Sequence, residues 1–180
     1  MKKLLIIILF FNAQIIDAQI LTGASSRFND AFVEWDIQTD DSDERSELTM
    51  TWQNPDNWGQ WSYRIGNKTG TIKTKWINDF SQWEIRGDNK IITAQMTWAG
   101  DVRQWRVTDN NFSLDLKCTW GNNFNEWVVD DAKRGKYLVA MDIENDPRDW
   151  IIEDDLDEFV SLQMKMTLLF LSIFNSVPKN

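Results

Sequence analysis

The sequence contains no histidine and only one cysteine, Cys118. Histidine is the commonest general base and the commonest metal ligand, so its absence excludes histidine-dependent catalytic centres. One cysteine cannot form an intramolecular disulfide, although exported proteins often carry disulfides. The fold must therefore be stabilised by packing, and Cys118 is most simply a core residue.

Other catalytic signatures are also missing. Glycine and proline are scarce, with 8 and 3 residues, and no glycine-rich phosphate-binding loop follows a candidate strand. The serines have no histidine partner, and no two of the many carboxylates stand out as a glycosidase pair. The acidic stretch 144–158 lacks a calcium-loop motif, so we expect it to form solvated turns. We therefore expect no enzyme activity, no metal site and no cofactor.

The N-terminal sequence and the net charge indicate where the protein is located and which partners it can bind. Two lysines precede an apolar run from Leu4 to Phe11 and a polar stretch that ends at Ala18, which predicts a signal peptide over 1–18 and a single domain over 19–180. We expect a secreted, periplasmic or cell-surface protein. The net charge of −9 repels phosphate backbones, so we expect no nucleic-acid partner, and we expect no membrane association.

Tryptophan is abundant, with 11 residues, and it recurs with a regular period. One series lies at intervals of 22 to 26 residues, at Trp35, Trp61, Trp83, Trp105, Trp127 and Trp150. A second series precedes it by seven to nine residues, at Trp52, Trp76, Trp98 and Trp120, with Phe28 and Ile143 in equivalent places. Such a period is typical of a chain built from repeated supersecondary units.

The segments between the tryptophans alternate between apolar and polar residues, which predicts strands. Leu114, Leu116 and Cys118 share one face, and polar residues separate them. Asn, Asp and Gly cluster between these segments, as at 88–89, and predict tight turns. The sequence thus predicts an all-β, antiparallel up-and-down meander of about 12 short strands, from six tryptophan-bounded hairpin repeats of about 22 residues.

A meander with one apolar face must cover that face. It can fold over as a sandwich or roll into a barrel with the tryptophans inside, and the barrel is favoured because large twisted sheets curl. An outer-membrane barrel is the alternative, but strands of about eight residues or fewer are shorter than the roughly 9–11 that it needs. The tryptophan spacing also resembles that of choline-binding and glucan-binding repeats, and MORN proteins contain hairpin repeats of similar length. Both families depend on glycine and tyrosine, of which this chain has only 8 and 2, so no family is assigned.

Turn lengths predict the register of the strands. A four-residue loop at 78–81 places Trp76 opposite Trp83, and a two-residue turn at 88–89 places Ile85 opposite Ile92. We expect both members of each tryptophan pair to be buried. The same rule pairs Trp98 with Trp105 and Trp120 with Trp127.

The C-terminal region supports two interpretations. Residues 156–174 are rich in apolar side chains and lack glycine and proline, as in a helix. However, residues 160–168 alternate between apolar and polar in step with the period, which favours a further strand. The tail from Leu169 is expected to be a last pairing strand or an irregular cap.

An apolar residue recurs in the turn three positions before each tryptophan of the first series: Phe32, Trp58, Phe80, Val102, Phe124 and Pro147. Because turns do not need such residues for their geometry, these side chains must either plug the end of the barrel or bind a ligand. An aromatic row beside Asp and Asn side chains suits sugar rings. The candidate ligand-binding residues are Phe32, Trp58, Phe80 and Phe124, with Asp56 and Asn57 as hydrogen-bonding partners.

These features predict an exported, non-enzymatic binding or structural protein of the cell envelope, with glycan or another envelope protein as its partner. One alternative is a carrier that holds an apolar small molecule inside the barrel. Another is a protein-interaction module that uses an exposed sheet edge.

Overall fold

The computed structural model describes residues 20–29, 31–40, 45–51 and 58–179, and its strands form one closed barrel. Residues 1–18, predicted as a signal peptide, lie outside the described residues. The strands are β1 (Leu21–Ser26), β2 (Glu34–Thr39), β3 (Ser46–Met50), β4 (Gln60–Ile65), β5 (Lys68–Trp76), β6 (Asp79–Gly87), β7 (Lys90–Met96), β8 (Gln104–Thr108), β9 (Ser113–Cys118), β10 (Glu126–Asp131), β11 (Gly135–Ile143) and β12 (Asp146–Leu156).

The predicted all-β meander and its closure into a barrel are confirmed. Each strand pairs antiparallel with its neighbours in the chain, and β1 pairs with β12 to close the barrel. Asp88 and Asn89 form a two-residue turn with φ of 46° and 58°, left-handed values that Asp and Asn tolerate. Ile85 pairs with Ile92 in the predicted register.

Because the strands alternate in direction, the loops fall into two sets at opposite ends of the barrel. The loops that follow odd-numbered strands form the upper rim. The loops that follow even-numbered strands form the lower rim. The six turns between β1–β2, β3–β4, β5–β6, β7–β8, β9–β10 and β11–β12 therefore lie together at the upper rim.

The first tryptophan series lies in the core, as predicted. Its members are at most 2% exposed: Trp35, Trp61, Trp83, Trp105, Trp127 and Trp150. Each points inward just below the upper rim and packs among aliphatic residues of neighbouring strands. Burial of this much aromatic surface is a main source of stability in a fold that has no disulfide.

The prediction that the second tryptophan series is also buried is wrong for Trp76, Trp98 and Trp120, while Trp52 lies outside the described residues. Trp76, Trp98 and Trp120 are 60%, 64% and 53% exposed. Trp83 pairs with Thr74 rather than with Trp76, so the predicted register is off by two residues in this hairpin. The same shift pairs Trp105 with Met96 and Trp127 with Cys118.

The cause of the shift is a bulge in β6. Trp76 pairs with Asp79 beside the turn, whereas Thr74 pairs with Trp83, so β6 contains two more residues than β5 between these two pairs. The extra residues include Phe80, which packs against the core. Trp76 therefore lies at the end of the hairpin, where its side chain is exposed.

The prediction of a strand at residues 160–168 is wrong, as is the prediction of a strand or irregular cap for the tail. Leu162–Ser176 form a helix, α1. The structure still has twelve strands, because β1 at the start of the barrel takes the place of the strand expected at 160–168. Every residue from Leu162 to Phe174 is buried, because α1 runs through the interior of the barrel from the lower rim to the upper rim. Within the described residues, no helix has both the length and the apolar character needed to span a bilayer.

The polar side chains of α1 find partners inside the barrel, which is why an alternating sequence is stable as a buried helix. Lys165 forms an ion pair with Asp154 of β12 at 2.7 Å, and both side chains are at most 2% exposed. The Gln163 amide donates to Asp88 at the lower rim at 2.9 Å, and the Thr167 hydroxyl donates to the Gln163 carbonyl at 2.6 Å. These contacts fix the position of α1 along the barrel axis.

The approach to α1 is fixed at the lower rim. Arg134 forms an ion pair with Asp157 at 3.0 Å and stacks over the Phe112 ring at 4.2 Å. Ser161 then caps the helix, since its hydroxyl accepts from the backbone N–H of Met164 at 3.4 Å. The chain therefore leaves β12, crosses the lower rim and enters the interior of the barrel as α1.

Two tyrosines, the only ones in the chain, are buried in the same interior. Burial raises the pKa of Tyr137 well above its usual value, and the nearby Asp154 raises it further. Burial also raises the pKa of Tyr63, with Asp88 adding to the effect. The Tyr63 ring lies where a Cβ atom at Gly70 would otherwise sit, so glycine at that position makes room for it.

Truncation of a tryptophan should lower stability strongly in the first series and hardly at all in the second. Trp105→Ala should lower the free energy of unfolding by about 3–5 kcal/mol, the usual cost of a large aromatic truncation in a core. Trp98→Ala, in the turn of the same hairpin but exposed, should change it by no more than about 0.5 kcal/mol. Urea unfolding of both variants checks this, and equal losses would contradict the assignment of the two faces.

The buried ion pair predicts a rescue by a second substitution. Lys165→Met should cost about 3–5 kcal/mol, because it leaves the Asp154 carboxylate buried without its partner. Lys165→Met combined with Asp154→Asn removes both charges and should recover most of that loss. Thermal or urea unfolding of the single and double variants measures the coupling, and strictly additive losses would rule out a direct pair.

The tyrosines predict an alkaline unfolding transition. Since both folded-state pKa values are raised, stability is complete below the unfolded-state pKa of about 10 and falls as the pH rises above it. Tyrosinate absorbance should therefore stay absent in the folded protein near pH 10 and appear together with the loss of circular dichroism. The guanidinium-unfolded chain gives the reference absorbance. If a tyrosine of the folded protein ionises near pH 10 without unfolding, at least one tyrosine lies outside the barrel.

Candidate binding site

The predicted site residues lie at the upper rim. Phe32 is buried, and Trp58, Phe80 and Phe124 are partly buried and pack against the core. Asp56 and Asn57, the predicted hydrogen-bonding partners, lie outside the described residues. The described members of the row therefore share one rim, as the period predicts, and their role in ligand binding stays a prediction.

Each of these rings packs on the core tryptophan three residues later. The ring centroids are 6.0 Å apart for Phe32 and Trp35 and 5.9 Å apart for Phe80 and Trp83, in both cases stacked. The pairs Trp58 with Trp61 and Phe124 with Trp127 have the same spacing of 5.9 Å. Trp58 and Phe80 also contact the Phe174 ring of α1, so this part of the row covers the upper end of the helix.

The backbone of the same turn residues holds the indoles in place. The Trp83 Nε1–H donates to the carbonyl of Phe80 at 3.1 Å, and the same bond recurs in four other hairpins. Its other donor and acceptor pairs are Trp35 to Phe32, Trp61 to Trp58, Trp105 to Val102 and Trp150 to Pro147. A buried indole N–H needs such a partner, so the spacing of three residues has a structural cause.

The hairpin of β9 and β10 departs from this pattern. The Trp127 Nε1–H donates to the hydroxyl of Ser176 at 3.0 Å, and that hydroxyl lies 2.9 Å from the Phe124 carbonyl oxygen. The end of α1 is thereby inserted between the turn and its tryptophan. The rim opens beside this hairpin.

An open depression of about 780 Å³ occupies the upper rim at this point. It lies between the β9–β10, β11–β12 and β1–β2 turns, and Phe32 and Phe124 form part of its wall. Its polar lining consists mainly of carboxamides: Asn29, Asn122, Asn123, Asn125 and Asn145. Each carboxamide offers both donors and an acceptor, so the lining matches a ligand that presents hydroxyl or amide groups.

Hydrogen bonds preorganise part of this lining. The Asn125 amide donates to the Asn145 side-chain oxygen at 3.3 Å, which joins two turns across the depression. The backbone carbonyl of Asn125 accepts from the Met141 N–H at 2.8 Å. The carboxamide pair is therefore held in place before any ligand arrives.

The charges at the depression compensate each other. The Arg148 guanidinium forms an ion pair with Asp146, and this hydrogen bond lowers the pKa of the Asp146 carboxyl. The pair carries no net charge near neutral pH. The depression therefore favours a neutral polar ligand over an ion.

Cys118 also lies at the upper rim. Its thiol lies 3.0 Å from the Asn123 carbonyl oxygen, and burial raises the pKa of the thiol, so it stays protonated at neutral pH. Among the residues that the structure describes, no group of three or more Cys, Asp or Glu is placed to hold a metal ion.

Sequence reasoning did not identify the asparagine lining, although a signal was present. Asn122, Asn123 and Asn125 occupy three of four positions in one turn. Turn geometry accounts for Asn123, whose side-chain oxygen accepts from the Asn125 N–H at 3.4 Å. The geometry of this turn does not require the other two carboxamides, and that of Asn125 bonds to Asn145 of the next upper-rim turn instead.

Comparison with known proteins gives no match to this chain among protein-family models, curated proteins or solved structures.

Proposed function

We propose that this chain is an exported, non-enzymatic binding protein of the cell envelope that binds glycan at its upper rim. The observation that carries the proposal is the depression lined by carboxamides, with Phe32 and Phe124 in its wall. Sugars present hydroxyl groups around their edge and apolar C–H groups on their faces. Carboxamides and aromatic rings match these two features.

The occupied interior favours the rim over an internal ligand. A carrier for an apolar molecule needs open space within its barrel, and here α1 takes up that space with residues buried from Leu162 to Phe174. Closure through β1 and β12 likewise pairs the two strands that would be the sheet edges of an open meander. Both features support a ligand that binds to loops.

The charge distribution supports a neutral glycan. The chain has a net charge of −9, which repels anionic polymers, and Arg148 at the depression is neutralised by Asp146. The export expected from the N-terminal sequence supports a location where such glycans are exposed.

The test is glycan-array screening of the mature chain, followed by calorimetry. Asn125→Ala should weaken binding roughly three- to tenfold, because it removes a hydrogen bond whose net contribution is about 0.5–1.5 kcal/mol. The matched control is Asn111→Ala, which removes an exposed carboxamide at the lower rim and should leave affinity unchanged. Equal affinity of both variants, or the absence of any glycan that binds, would overturn the proposal.

A further inference from the structure

The second tryptophan series is exposed without a packing role to explain it. Trp76, Trp98 and Trp120 stand on three consecutive upper-rim hairpins and are each more than half exposed. Isolated exposed indoles are ordinary, but a row at equivalent positions on neighbouring hairpins is a repeated aromatic feature that packing does not explain. We call these three residues the indole row.

The indole row is continuous with the depression. Trp120 belongs to the same turn as Asn122 and Asn125, which line the depression. The next hairpin carries Trp98 and the one after it Trp76, so the row leads away from the depression around the rim. Adjacent hairpins lie about 10 Å apart, two strand spacings of about 4.8 Å, so the row extends for about 20 Å.

Polar groups lie between two of the indoles, those of Trp98 and Trp120. The Arg103 guanidinium donates to the carbonyl of Gly121 at 3.2 Å, which ties the turn of Trp98 to the turn of Trp120. Arg103 is also paired with Asp101 at 2.7 Å, so the charges in this part of the row cancel. Fixed hydrogen-bonding groups therefore alternate with indoles in the half of the row next to the depression, whereas the exposed Ile77 adjoins Trp76.

This alternation discriminates between occupants. A bilayer surface or an apolar protein face prefers contiguous apolar contact, and it would bury the paired charges of Asp101 and Arg103 at a cost. An extended chain of neutral sugars presents apolar faces and hydroxyl edges in turn. It would stack on the indoles and form hydrogen bonds between them.

We infer that the indole row is a stacking track for an extended, neutral β-linked glycan whose end lies in the carboxamide depression. This inference rests on the proposed function and deepens it, because it specifies a polymer rather than a single sugar. Trp98 and Trp120 contact sugars beyond those held by Asn125. Affinity therefore grows with chain length.

The experiment compares short and long probes of one chemistry: the dimer and hexamer of β-1,4-linked N-acetylglucosamine and the dimer and hexamer of β-1,4-linked glucose. For the better series, calorimetry should give tighter binding of the hexamer by wild type. Trp98→Ala should weaken the hexamer roughly three- to tenfold, as expected for loss of one stacking contact, and leave the dimer unchanged. Trp98→Phe should restore most of the affinity.

Matched controls separate the indole row from general effects. Asn125→Ala should weaken dimer and hexamer alike, since it acts within the depression. Ile151→Ala removes an exposed apolar side chain from the barrel wall and should change neither affinity. Melting temperatures of all variants, measured alongside, should match that of the wild type, so that a changed affinity reports the contact itself.

The outcomes distinguish the two proposals. If wild type binds the dimer and hexamer equally, or if Trp98→Ala binds the hexamer as wild type does, the stacking track is overturned and the depression remains. If no oligosaccharide of either series binds, the track and the glycan function both fail for these sugars. Binding of the protein to neutral phospholipid vesicles that Trp98→Ala abolishes would assign the row to a membrane surface instead.

Discussion

The hydrogen bond from a core indole N–H to a turn carbonyl three residues earlier is the interaction on which the structure depends. In the β5–β6 hairpin it joins Trp83 to Phe80 at 3.1 Å, and four other hairpins repeat it. It buries an aromatic ring without leaving a donor unpaired, and it fixes the turn that lies above the ring. The preceding tryptophans Trp76, Trp98 and Trp120 are exposed at the same rim. The repeat thus combines a packed aromatic core with an exposed aromatic rim.

The interior adds a second constraint, because twelve strands enclose more space than barrel side chains alone fill. Helix α1 fills that space, and its Lys165 is held by Asp154 of β12. Where the helix ends, Ser176 replaces the usual carbonyl as the partner of Trp127, and the rim opens into the carboxamide depression. Filling the core and shaping the candidate site are therefore connected through the last turn of one helix.

The strand period, the tight turns and the barrel were predictable because they depend on local alternation and on residues such as Asp88 and Asn89. The helix was not, since Gln163 and its partner Asp88 are distant in sequence and alternation does not reveal that buried polar residues have partners. The register at Trp83 failed for another reason: a bulge in β6, where Phe80 packs against the core, adds two residues that the turn residues do not indicate. The row of turn residues was found, whereas the asparagine lining was hidden among residues that turns use anyway.

The division of the tryptophans into a hydrogen-bonded core series and an exposed rim series is the central claim, and indole N–H resonances test it most directly. In ¹H–¹⁵N spectra, the core indoles Trp35, Trp61, Trp83, Trp105, Trp127 and Trp150 should exchange slowly with deuterium. The indoles of Trp76, Trp98 and Trp120 should exchange at once, and only they should shift when the hexamer of the better-binding sugar series is added. Fast exchange at Trp83 or Trp105, or slow exchange at Trp98, would contradict the account.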